Sequence, residues 1–179
     1  MIALPNQGCS ANVMPLIRTL FDIVLLRKGP EDIPRSAILL LMSLGLWLLA
    51  ELTSLALIDR VDEADFLNET FSLLLAVIFY SAVVVIAGHA QRVLQTITAI
   101  VGCGALLALS FTAVFVFFGQ FVGAIALELI VYLYLMWSVS VEGHIIARAI
   151  DRHWYIGILI ALAAFALQFF TFIVMTSTS

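Results

Sequence analysis

Charge is what this chain has least of. Asp, Glu, Lys and Arg make up 11% of its 179 residues, against about 25% in an ordinary soluble domain. Too few polar groups remain to cover a water-facing surface, which excludes a soluble globular fold. Basic residues are the scarcer sign, eight Lys and Arg against twelve Asp and Glu. With an isoelectric point near 5.2, the basic footprint of a nucleic-acid binder is missing. Two cysteines, Cys9 and Cys103, are too few for a disulfide framework or a zinc site. The opening MIALPNQGCS has neither the basic nor the apolar region of a secretory signal peptide. Membrane insertion is therefore expected to be driven by the apolar helices themselves.

What the chain does have is apolar length. Hydrophobic residues reach 64% and the mean hydropathy is +1.17. A helix rising about 1.5 Å per residue needs about 20 apolar residues to cross a hydrocarbon layer about 30 Å thick. Five segments meet this, near 37–58, 70–88, 93–118, 121–142 and 154–176. The break between the third and fourth is set at Gly119-Gln120, where a glycine and an amide can turn. The fold class predicted is all-α: a polytopic membrane protein with five transmembrane helices, the lipid bilayer its first partner.

Lys and Arg are retained on the cytoplasmic side of short loops. Arg18, Arg27, Lys28, Arg35, Arg92, Arg148 and Arg152 all fall on one side of a five-span layout, leaving only Arg60 on the other. That places the N-terminus in the cytoplasm and the C-terminus outside. Arg60 sits in a loop with Asp59, Asp62, Glu63, Asp65 and Glu69, a solvated acidic segment. Residues 1–35 form a cytoplasmic leader and 36–179 the transmembrane domain. Within the leader, Pro15 can open a helix and Gly29-Pro30 can stop one. Arg18, Thr19 and Asp22 share one arc of that helix, with Leu16, Ile17, Leu20, Phe21, Ile23 and Val24 opposite. It is too short to cross, so an amphipathic helix lying at the membrane interface is expected, or else one packed as a floor under the bundle.

Ionisable side chains inside a bilayer are costly and mark candidate sites. Glu51 in the first span and Glu128 in the fourth fall at similar depth in the outer half, so neighbouring spans would let them share a proton or bind a cation. Tyr132, Leu135, Val139 and Glu142 lie within about 40° of one line with Glu128, which reads as the inward face of that span. A second cluster, His89, Arg92, Glu142, His144 and Arg148, falls at the cytoplasmic helix ends. Glu142 and His144, two apart, point about 160° from each other on a helix, which favours polar caps over a metal site. Gly157, Ala161, Ala164 and Gln168 form a face of small residues on the fifth span, suited to close helix packing within the chain or against a second copy. Gly104 and Ala108 form a similar strip on the third. No phosphate-binding glycine loop, nucleophile elbow or zinc-protease helix is present, so no enzyme, catalytic residue, cofactor or metal ligand is expected.

An amphipathic leader, five closely spaced spans, a short outer C-terminus and the Lys28-Gly29-Pro30 turn together resemble the Yip1-like membrane proteins. That resemblance implies a non-enzymatic role in protein interaction, assembly or membrane organisation, with other membrane proteins or a second copy as partners. It transfers no functional residues. The short loops would suit a bacterial inner membrane. The competing expectation is a small proton- or cation-coupled transporter or channel using Glu51 and Glu128.

Overall fold

The computed structural model describes residues 13–58, 63–119 and 121–178. Six α-helices account for nearly all of them: α1 (Val13–Val24), α2 (Ala37–Leu57), α3 (Glu63–Ile86), α4 (Val93–Phe118), α5 (Ala124–Ala149) and α6 (Trp154–Thr178). No strand occurs among the described residues. Five of the helices are long and apolar enough to cross a membrane, and α1, with 12 residues, is not. The protein is thus an all-helical integral membrane protein. Helix is the form an isolated segment must take in lipid, because it satisfies each backbone N–H and C=O within itself.

α4 is the hub. It packs extensively against α2 and also against α1, α3 and α5, while α6 packs mainly on α5. α2 and α5 are not packed neighbours; each lies against α4 instead. The first three turns of α4 are accordingly closed in, with Gln95, Thr96, Thr98, Ala99, Ile100, Val101, Gly102 and Cys103 all buried. Elsewhere the outward faces keep large apolar side chains such as Leu41, Ile78, Phe117, Leu133 and Phe169 exposed, where lipid rather than water is the natural neighbour.

The turns after α1, α3 and α5 lie at one end of the bundle, here the leader end. All three helices stop there in the same way. The sixth-to-first bonds of a Schellman motif run from Arg27 N–H to Asp22 O (2.9 Å), His89 N–H to Val84 O (3.0 Å) and Arg152 N–H to Ala147 O (2.9 Å). Such a stop needs one residue in the left-handed region. Gly88 supplies it at φ 83, whereas Leu26 (φ 59) and Asp151 (φ 52) adopt it without being glycine.

α1 packs on the bundle. Leu16, Leu20 and Ile23 are buried in the core that α3, α4, α5 and α6 share, so the helix is a floor to the bundle as well as a short helix ahead of it. The apolar arc read from the sequence is split, because Phe21 points away and is 56% exposed. Two other boundaries differ. α3 starts at Glu63, inside the acidic loop, and α5 continues to Ala149, past the expected end at residue 142. The added turns of α5 hold Ile145, Ile146, Ala147 and Ala149, all buried; tertiary packing carries the helix through His144 and Arg148, which the hydropathy pattern reads as a loop.

Candidate functional site

Glu51 is the charged residue of α2, and Trp47 stands one turn before it on the same face. Across from them α4 presents Gly104 and Ala108, whose lack of bulk leaves space. α3 contributes Glu69, Ser72, Leu73 and Ala76, a strip at helical spacing, while α5 contributes Glu142 and α6 contributes Gln168. These side chains surround a cavity of about 170 Å³, room for several water molecules. Three carboxylates, an amide, a hydroxyl and an indole therefore line one space between the helices, with Glu69 itself exposed.

The cavity reaches deepest toward the leader end at Glu142. Measured along the helices, Glu142 and Tyr80 both lie about 10 Å from that end, while Glu51 and Gln168 lie about 21 Å from it. The Tyr80 hydroxyl donates to Glu142 Oε2 at 2.5 Å, and the Ser138 hydroxyl to Oε1 at 3.4 Å. Tyr80 is fully buried, so its phenol is fixed by packing and has the carboxyl as its partner. Between this pair and the leader end, Val84, Ile145, Ile146 and Ala149 are buried beside the α4 side chains Gln95, Thr96 and Thr98. Among the described residues no three His, Cys, Asp or Glu side chains come close enough together to hold one metal ion. The carboxylates are spread along the cavity, an arrangement suited to protons or a solvated cation.

The structure redraws the expected intramembrane site. Glu51 faces the cavity, but Glu128 does not line it and lies exposed on α5. Tyr132 is 62% exposed, so it too points outward. The stripe from Glu128 to Glu142 fails as a single inward face because only the leader-end half of α5 is enclosed: Leu135 is 37% exposed, Val139 only 8%. Glu51 and Glu128 cannot pair, since their helices lie on α4 rather than on each other. Glu142 takes the place expected for Glu128.

No family model matches the chain, and no curated protein or solved structure matches it.

The leader-end cluster divides along the same lines. Glu142 leaves it for the cavity. Arg92 Nη1 donates to Arg148 O and Ala149 O, both at 3.2 Å, capping the last carbonyls of α5, and it pairs with Asp151 Oδ2 at 2.9 Å. His89 Nε2 lies 3.2 Å from the same oxygen. The Arg92 guanidinium hydrogen-bonded to Asp151 holds that carboxyl below its usual range, with His89 adding to the effect. His144 Nε2 bonds the Lys28 carbonyl at 3.0 Å, and Arg148 pairs with Glu31 at 2.7 Å. Lys28 hydrogen-bonds Asp22 at 2.8 Å and lowers that carboxyl as well. These are clips among the helix ends and the leader.

The small face of α6 is spent inside the chain. Gly157, Ala161 and Ala164 are buried. A methyl group on Gly157 would run into the Gly143 carbonyl and Ala147 of α5, and one on Gly143 would lie 2.9 Å from the Ile158 backbone. Two glycines meeting across the seam bring the backbones together. Gln168, at the end of that face, turns its amide to the cavity.

Proposed function

We propose that this protein is a small proton- or cation-coupled membrane transporter or channel, and that the acidic cavity between α2, α3, α4, α5 and α6 is where the cation is taken up. One observation carries the reading: Glu51, Glu69 and Glu142 come from three different helices to one space between them. Keeping carboxyls in a membrane interior is costly, and a protein that only docks partners has no use for three around a common cavity. The small-residue face, which would have served an assembly role of the Yip1-like kind, is filled by α5.

In this reading the leader end faces the cytoplasm of a bacterial inner membrane, in line with the placement of Lys and Arg. The cavity then lies toward the outer half and the packed core around Val84, Ile145 and Ile146 toward the cytoplasm. The test is reconstitution in vesicles with a pH gradient or a cation gradient and a fluorescent report of lumenal pH. Dissipation that depends on the protein supports the proposal; gradients that decay as in protein-free vesicles overturn it.

A further inference from the structure

Glu142 meets a hydroxyl on each of its oxygens, a close one from Tyr80 at 2.5 Å and a longer one from Ser138 at 3.4 Å. Tyr80 is fully buried and shares the core with Val84, Ile100, Val141 and Ile145. A ring enclosed in a close-packed interior has little room to turn, so its hydroxyl stays at the carboxyl. A buried phenol needs a hydrogen-bond partner. Here that partner is a carboxyl that is itself only half-buried and lines the cavity. α3 and α5 otherwise touch little, and the Tyr80–Glu142 bond bridges them at the leader-side end of the space.

These surroundings discriminate between a metal ion and a proton. Ca²⁺ takes about six to eight oxygen ligands, and Mg²⁺ demands near-octahedral coordination. Glu142 offers one carboxyl whose oxygens already face hydroxyl hydrogens. Glu51 stands about 10 Å farther along the bundle, too far to share an ion with it. Of the other titratable groups at the cavity, α2 brings Glu51 and α3 brings Glu69, while α4 and α6 bring none to its lining. A proton asks for much less, one lone pair on one oxygen. A hydronium ion in the cavity can pass its proton to the Glu142 carboxylate and remain there as water. The protonated carboxyl gains an O–H donor of its own and keeps an oxygen that accepts from Tyr80.

We infer that the ion taken up by this cavity is a proton and that Glu142 binds it, with Tyr80 as the positioning residue that holds the carboxyl for a proton and against a metal ion. The inference rests on the transport reading for its purpose, but the site can be read without any flux. The full-length protein in lipid vesicles is measured by infrared difference spectroscopy between acid and alkaline buffer, where a carboxyl that gains a proton shows a C=O stretch clear of the amide bands. The expected result is a band that is lost in E142Q and kept in E51Q. Y80F keeps the ring and removes only the donor, so the band should persist but move to higher frequency, since a hydrogen bond to a carboxyl lowers its stretch. A spectrum that E142Q leaves unchanged removes Glu142 as the binding group, and a band that Y80F leaves unmoved removes the role of Tyr80. In the unsubstituted protein, adding Na⁺, K⁺ or Mg²⁺ at constant pH should leave the band at full size; its loss would mean that a metal ion displaces the proton, and overturns the assignment. The amide bands of the same spectra report whether each variant keeps its helices, and the cation titration needs no variant. A band that behaves as expected in vesicles whose gradients persist leaves the proton site standing and the transport reading refuted; protein-dependent dissipation with no Glu142 band does the reverse.

Discussion

At the scale of single residues, a carboxyl among transmembrane helices is held by what it can exchange protons or charge with. Glu142 has Tyr80 and Ser138; Glu51 has the open space it shares with Glu69 and Gln168. Substituting E51Q or E142Q keeps the shape and removes the titrating oxygen, so proton or cation uptake should fall by at least about tenfold. E128Q, on the exposed face of α5, should leave it near the wild-type rate, and equal loss in all three variants would detach the activity from the cavity. Asp151 has a different task. Its carboxyl is lowered in the fold by Arg92 and His89, so its contribution to stability is complete at neutral pH. That contribution is lost only as pH falls below the ordinary aspartate value of 3.8 and through the lowered one. D151N retains a residue that tolerates φ 52 while removing the charge. Thermal unfolding in detergent should show a lower midpoint for D151N at pH 7, with the gap to wild type closing at acid pH.

Among the helices, the α5–α6 seam is the least forgiving contact. G157V would press a branched side chain into the Gly143 carbonyl and Ala147, and we expect a loss of about 3 kcal/mol or more, read as early unfolding or failure to purify as a single species. How far sequence reasoning reaches is also clearest here. Five spans, the short helix before them and the break near Gly119 follow from apolar runs and their punctuation, because lipid imposes length and helicity on each run separately. The end of α5 does not follow, since Gly143–Ala149 is helical because α6 and the leader cover it. Glu142, which the sequence places both on the inward line with Glu128 and among the helix-end residues, belongs to the first. Glu51 stood out as a lone charge in an apolar run, whereas Glu128 stood out equally and proved to face outward. Which carboxyl turns inward depends on which helices pack together, and hydropathy carries no such information. A usable signal for Glu142 was Ser138, a polar residue one turn back on the same face.

For the molecule as a whole, the distribution of charge and the packing agree on one polarity. α1, the end of α5 with Arg148 and the turns holding Arg92 and Arg152 gather at the leader end, and the proposed orientation puts that end in the cytoplasm. Fusions of a compartment-specific reporter to each terminus should report opposite compartments, and both termini on one side would refute the orientation. The central position of α4 has a further consequence, for the order of assembly. α2 finds its main partner not in α3, which follows it directly, but in α4. Chain emerging from the ribosome delivers two spans that have almost nothing to grip until a third arrives. Through that interval α2 and α3 reside in lipid as separate rods, with Glu51 still lacking the walls of its cavity. Biogenesis of this small protein therefore has a vulnerable window that closes only when the hub is inserted, and a nascent chain stalled before Val93 would be a natural target for membrane quality control.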